Sequence, residues 1–465
     1  MKMWSGRVSQ PLDKNFEQWQ RSFNFDRRLL KHECAASRAH ARALAAVGVL
    51  TRDELSAILS GLDHIVSQSS PTVFANSDAE DVHHFVEQQL VSIIGDKGYK
   101  LHTGRSRNEQ IATDLRLFTR DAIDCIREQS LDLIAALCDR ADDLTSAPMP
   151  SYTHLQRAEP IVAAHWLIAY VQMFLRDADR LSDCRKRVNV LPLGSAAVAG
   201  CSFPLDRHAM ARELGFDGIT ANSMDAVSDR DFAIEFVSAL SLIAIHLSRL
   251  AEDFILYSSV EFGFVRLPDS FATGSSAMPQ KKNPDAMELL RGKVGRVIAS
   301  YINLLTTLKG LPLAYNRDLQ ETQEPLFAAA DCVSSSLRIA ADFVAAVEFD
   351  TERMRQAASM GFLNATAAAN YLVRKDVPFR HAHEIVGRMV RHCLDRGTTL
   401  EALTPAELSE FSPEFGSDFA QALELKSVIN EHNVEGGTAE QQVRRALADA
   451  REHLNRLREA AFAHA

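Results

Sequence analysis

No two cysteines in this chain have the C-x-x-C spacing, and the seven present (Cys34, Cys125, Cys138, Cys184, Cys201, Cys332 and Cys393) are odd in number and scattered. That pattern argues against both a disulfide framework and a thiolate zinc site, and it fits a reducing cytoplasm. Cations are in deficit too: 51 Lys and Arg against 61 Asp and Glu leave a formal charge of −10. A surface that tracks phosphates needs clustered cations, so nucleic acid is not an expected partner. No uninterrupted apolar run reaches 18 residues, and the opening M-K-M-W-S-G-R-V-S-Q lacks the apolar core of a signal peptide. The expectation is a cytoplasmic chain that neither crosses a membrane nor is exported. Alternating β-branched runs bounded by turns are nearly absent, which leaves little support for strands.

Glycine and proline are also missing from Arg105 to Ala147, Ile161 to Leu191, Ile219 to Phe262 and Leu326 to Met360. Each gap has room for a helix well beyond the usual three or four turns. Hydrophobic content of 46 % is ordinary for a globular protein, and 465 residues exceed the roughly 250–300 at which single cores stop growing. Within the third gap, Phe232 to Leu250 is apolar on most faces, as a helix enclosed by others would be. Helix starts are signalled by Ser106 with Glu109, by Asn283-Pro284-Asp285, and by Thr438 with Gln441. These readings predict an all-helical chain with a smaller N-terminal domain over 1–106, a long-helix domain over 107–358 and a helical C-terminal domain over 359–465.

Polar residues gather at three places between the long helices. Leu101 to Gln110, L-H-T-G-R-S-R-N-E-Q, adds Thr103, Arg105, Arg107 and Asn108 to a helix start, a set suited to a carboxylate. Ser151 to Pro160, S-Y-T-H-L-Q-R-A-E-P, places His154 beside Thr153 and Gln156, and imidazole exchanges its proton near neutral pH. His165 and His246 lack such company and read as core or helix-face residues. His83 and His84 follow Glu80-Asp81, but without a second ligand cluster they predict no metal site. Gly274 to Asp285, G-S-S-A-M-P-Q-K-K-N-P-D, sets Ser275, Ser276, Lys281 and Lys282 between a glycine and two prolines, ahead of a helix. A serine needs an adjacent cation or base to act, and an ammonium with a helix dipole would also stabilise a developing dianion.

The third stretch matches G-S-S-x-M-P-x-K-x-N-P at every fixed position from Gly274 to Pro284, and on it the chain is identified as a member of the fumarase/aspartase superfamily. Within it, Gln280-Lys281-Lys282-Asn283 resembles the argininosuccinate lyases. K-L-H-T-G-R-S-R-N, Y-T-H-L-Q-R-A, the run Asn222–Phe232, L-K-G-L-P-L-A-Y-N-R-D-L-Q-E, and W-S-G-R with S-F-N-F-D-R-R-L point the same way. The resemblance runs from Trp4 to Thr438. It implies an all-α homotetramer with a twenty-helix central bundle, and active sites each shared among subunits. It also implies reversible cleavage of argininosuccinate to arginine and fumarate with no cofactor and no metal. By matching position it implies Ser275 as base, His154 as the partner that protonates the leaving group, and Lys281 and Asn283 as holders of the carboxylate and its dianion. Ser22, Asn108, Thr153, Tyr315 and Gln320 would position substrate, and Glu288 would orient Lys281 or His154.

Two departures stand out. Gln323 occupies a substrate-binding position where better-known members carry lysine in Q-E-D-K-E, and Ala365 to Tyr371 reads A-T-A-A-A-N-Y against A-T-D-L-A-D-Y. The first leaves room for a lyase of the same mechanism acting on another N-substituted aspartate. A crystallin-like structural homologue is the third alternative, although such a protein would be expected to have lost one of Ser275, His154, Lys281 or Asn283.

Overall fold

The computed structural model of the chain describes residues 10–462, so the W-S-G-R segment lies outside the described residues. Helices dominate, as the missing breakers predict. In chain order the elements used below are α1 (Leu30–Ala46), α2 (Arg52–Gln68), α3 (Val82–Ile94), α4 (Arg107–Asp143), β1 (Pro148–Thr153), β2 (Gln156–Val162), α5 (Ala163–Val188), α6 (Asp231–Ser258), β3 (Thr273–Gly274), β4 (Lys282–Asn283), α7 (Asp285–Leu308), α8 (Gln323–Ala346) and α9 (Glu440–Phe462). At 1.5 Å per residue, the 37 residues of α4 extend about 55 Å.

The chain divides into two compact units. One takes the chain up to Arg127 with Asp179–Leu242 and Gly295–Val333; the other takes Glu128–Ala178, Ile243–Val294 and the chain from Ser334. Each of α4 to α8 therefore contributes a part to both. In the first unit a stripe of small residues on α1, Ala36, Ala39 and Ala43, packs with Leu117, Leu191, Met210 and Phe216. In the second, Trp166 of α5 meets Phe254 and Tyr257 of α6 edge-on at 5.4 and 5.0 Å. The indole N–H and the Tyr170 hydroxyl both donate to Asp253, at 2.8 and 2.6 Å, which satisfies the polar tips of these buried rings. A separate cluster near the C-terminus joins Ala368, Leu372, Val386, Met389 and Phe419.

α6 was expected to be enclosed. Phe236, Leu240, Ile243, Leu247 and Phe254 are buried, but Ile245 remains 39 % exposed in the single chain. By length and composition this helix could also span a membrane; more than half of its most apolar window, 56 %, is buried within the fold. On α7, Ile298, Ile302 and Leu305, spaced along one helical face, are exposed as well.

Two helix starts differ from the sequence expectation. Asn283 lies in β4 rather than capping α7, and its amide donates to Thr273 Oγ1. Thr438 does not cap α9, because its hydroxyl accepts the Val162 N–H at 3.0 Å. In both cases a tertiary partner takes the side chain from the local backbone. Strands do form, as two-stranded ribbons, and two of them carry site residues.

Candidate active site

The polar loop is closed at its base. β3 pairs antiparallel with β4, Thr273 opposite Asn283 and Gly274 opposite Lys282, so residues 275–281 project as a hairpin. Asp285, in the first turn of α7, accepts from Thr273 N–H at 3.2 Å and from its hydroxyl at 2.6 Å. Lys282 Nζ donates to the Leu267 carbonyl and to Asp269. Above this base, Ser275 Oγ accepts the N–H groups of Ala277 and Met278 at 3.3 and 3.1 Å. The two adjacent lysines are thereby set to different tasks. Lys282 anchors the loop, while Lys281 is exposed and its ammonium makes no hydrogen bond or ion pair among the described residues.

His154 sits at the tip of the β1–β2 hairpin. Thr153 pairs with Gln156, leaving His154 (φ 55°) and Leu155 (φ 57°) as a two-residue connection in the left-handed region that a type I′ turn uses. Neither is glycine, so the tip holds roughly 1–2 kcal/mol of backbone strain per residue. The strands beneath it are rich in proline, and Pro150 faces Pro160. The ladder is repaired at the bulge by Ser151, whose hydroxyl donates to Glu159 O at 2.7 Å and accepts from Glu159 N at 3.1 Å. Tyr152 packs on Phe262, and Arg157 donates to Ala357 O, which braces the hairpin. Thr153 and His154 are exposed, and among the described residues no hydrogen bond joins this tip to the Ser275 loop. Glu288 is exposed on the first turn of α7, and makes no hydrogen bond to Lys281 or to His154.

The remaining site residues belong to the other unit. Ser22 is buried, donates its hydroxyl to Asp26 at 2.6 Å, and its N–H goes to Glu80 O. Gln320 and Arg317 both donate to Gln20 O at 3.1 Å, and Arg317 also reaches Glu80 at 3.0 Å. Arg107 pairs with Asp81 at 2.8 Å. The Tyr315 phenol is pushed up by burial and pulled back by the charges of Arg230 and Arg317. Ser22, Gln320 and Tyr315 are thus brought together around Gln20 and the Glu80-Asp81 pair. Asn108, at the start of α4, donates to Ala197 O at 3.2 Å. Gln323 is only 2 % exposed, and its Oε1 has no hydrogen-bond partner among the described residues.

Sequence reasoning missed Arg230. It is fully buried, with Nη1 donating to Asp229 O at 2.7 Å while Nε and Nη2 have no partner among the described residues. Burial lowers its pKa to about 10, opposed by Tyr315 and Asp229. The Nε–Nη2 edge carries two parallel donors, the arrangement that takes a carboxylate side-on. Arg230 lies in the run Asn222–Phe232, where a single arginine between two acids gives no signal of burial.

Arg105 turns into the interior of the first unit. Its guanidinium donates to Ser37 at 2.8 Å and lies 3.8 Å from Glu33, deep in the first unit. Glu33 also receives Gln110 and pairs with His83 at 2.9 Å, and Asp114 approaches the same imidazole at 3.7 Å. Burial raises both carboxyls, but Arg105 and His83 hold Glu33 down while the Glu33 charge drives Asp114 further up. Glu33, His83 and Asp114 lie close enough to ligate a cation. With Arg105 and the imidazole already facing Glu33, their charge is met from within, and we read them as a structural network.

Asp26 beside Ser22 offers a pH test. Burial first, and the Asp81 charge second, push its carboxyl from the ordinary 3.8 up to about 7. The folded state then binds the proton more tightly than the unfolded one, so the stability it contributes is complete below about pH 4 and is lost as pH rises through 7. Asp26→Asn mimics the protonated acid, accepting from Val82 N and donating to Ser22. Its thermal midpoint should vary less between pH 5 and pH 8 than that of the wild type; equal slopes would show that Asp26 is not the titrating group.

Residues 6–299 match a family model described as Lyase, and residues 362–430 match one described as Argininosuccinate lyase C-terminal. The chain is 56 % identical to the argininosuccinate lyase of Koribacter versatilis over 454 residues, covering 98 % of each chain. It is 55 % identical to that of Acidobacterium capsulatum, covering 96 % of this chain and 93 % of the relative. Among solved structures, EDDS lyase in complex with formate superposes with a TM-score of 0.85 at 28 % identity, over 95 % of this chain and 89 % of that one.

Proposed function

Since the chain belongs to the argininosuccinate lyase family of the fumarase/aspartase superfamily, we propose how its own residues divide the family's reaction. The chain is a carbon–nitrogen lyase that reversibly eliminates L-arginine from argininosuccinate to leave fumarate, a step of arginine biosynthesis. Ser275 takes the proton from the carbon next to a succinyl carboxylate. The C–H electron pair passes into that carboxylate as a dianion, held by Lys281 and Asn283, and returns to form the C=C bond. The C–N bond breaks with its pair on the guanidino nitrogen, which His154 protonates. Ser22, Asn108, Thr153, Tyr315, Gln320 and Gln323 position the substrate. Glu288, on the first turn of α7, orients Lys281 or His154.

The observation that carries this reading is the pair of backbone N–H groups on Ser275 Oγ. A serine hydroxyl is a weak base, and two preorganised donors favour its oxyanion. Lys281, exposed and with no ammonium partner among the described residues, is available for the same charge.

We also take the enzyme to be cytoplasmic and a homotetramer, built on the three-domain division 1–106, 107–358 and 359–465. Exposed Ile298, Ile302 and Leu305 on α7 favour burial against further helices, as does the half-covered α6. The His154 hairpin, unlinked to the Ser275 loop in the single chain, fits active sites assembled from several subunits. Light scattering at the mass of four chains supports this assembly; a monomer rejects it.

The test of function is the ultraviolet absorbance of fumarate after mixing the protein separately with argininosuccinate, adenylosuccinate and aspartate. Fumarate from argininosuccinate is expected. Release from another substrate alone would assign the same mechanism to another N-substituted aspartate, and no release from any would favour a structural role.

A further inference from the structure

We infer that Glu109 is a positioning residue, one that locks the Gly194–Cys201 loop onto the start of α4 and thereby sets the carboxamide of Asn108. This deepens the proposed role of Asn108 and rests on that reading.

Glu109 is fully buried in the first turn of α4. One oxygen accepts Ser106 N–H at 3.1 Å, which is the carboxylate half of the capping box. A capping box needs no more than this. The second oxygen is spent far along the chain, on Gly194 N–H at 2.6 Å, and the backbone at Ala196 helps to hold down a carboxyl that burial pushes up.

The loop it holds is a closed unit. Cys201 N–H donates to Gly194 O at 3.0 Å, Gly200 N–H to Ser195 O at 2.9 Å, and Ser223 Oγ to Val198 O at 2.8 Å. Gly194 (φ 95°) and Ala196 (φ 51°) both sit in the left-handed region. Such turns direct successive N–H groups inward as an anion cradle. Ala196 does so at a cost of roughly 1–2 kcal/mol, which the neighbouring buried carboxylate helps to offset. The far end of the loop rests on Gly104, where an added Cβ would lie 2.8 Å from Cys201 Sγ and 2.9 Å from the Phe203 ring. The loop and the T-G-R-S-R-N stretch are therefore fitted to each other by backbone as well as by charge.

Asn108 reads that fit. One of its two amide hydrogens goes to Ala197 O. The other hydrogen and Oδ1 are left for a ligand, in an orientation set by where Ala197 O stands. Shifting the loop would turn the carboxamide without removing any group that touches substrate.

The test combines steady-state kinetics of Glu109→Gln and Glu109→Asp with amide hydrogen exchange over residues 192–203. Gln keeps the shape but presents an NH2 group to one of the backbone donors; Asp keeps the charge on a shorter arm. For Glu109→Gln, the KM for argininosuccinate should rise about 10-fold while kcat stays within about 3-fold, in line with losing one charge-assisted hydrogen bond. Exchange at Gly194 and Ala196 should quicken, and Glu109→Asp should fall between Gln and wild type in both. A Gln variant with a lowered thermal midpoint but unchanged KM overturns the proposal, as does unchanged exchange. If Glu109→Gln does not fold, an unchanged KM in Glu109→Asp overturns it instead. Wild-type protein that releases no fumarate from argininosuccinate would reject the functional reading by itself, while the exchange measurement still reports on the lock.

Discussion

Ser275→Ala is expected to lower kcat by about 10³-fold or more while argininosuccinate still binds, because general-base groups contribute up to about 10⁴-fold. The hydroxyl is held by two N–H groups on a hairpin whose base is clamped independently, by β3–β4 pairing and by Thr273 on Asp285. Alanine therefore removes the base and leaves the loop's anchor intact. Calorimetric titration of the variant with argininosuccinate should give a dissociation constant within a few-fold of the wild-type KM. A variant retaining most of the wild-type rate would move the base elsewhere, with His154 the first candidate.

Lys281→Met should reduce kcat by about 10²–10³-fold, equivalent to about 3–4 kcal/mol, the usual loss when one donor to a developing oxyanion is removed. KM should change much less, since the charge it answers is largest in the dianionic intermediate. Lys282→Met is the control. That ammonium is engaged with Leu267 O and Asp269 on an exposed surface, where an ion pair is worth little. Its loss should cost under about 10-fold, through looser anchoring of the loop. Equal effects of the two substitutions would contradict the division of labour between the lysines.

Much of the site's chemistry was legible because it is carried by residue type and spacing. A serine, two lysines and an asparagine between prolines need no tertiary contact to be recognised. Direction was not legible. Lys281 and Lys282 are neighbours, yet strand pairing turns one outward and one onto Asp269. Arg105 and Arg107 are two residues apart, yet the first enters the Glu33 network and the second pairs with Asp81. The His154 hairpin escaped notice because prolines mask a strand, and its repair by Ser151 depends on a partner eight residues away. Arg230 was passed over because nothing around it in sequence says that it is buried.

The long helices were determined by the sequence alone, since their hydrogen bonds are local and only glycine or proline would interrupt them. So was the reaction class, written in the fixed positions of the Gly274–Pro284 loop. What only the tertiary structure decided is which way each polar group faces and what holds it there: Glu109 on a distant loop, Thr438 on Val162, Asn283 on Thr273. Those choices depend on partners that folding brings together, a remote backbone N–H for Glu109 and for Thr438 and a hydroxyl across the hairpin for Asn283, and no local spacing encodes them.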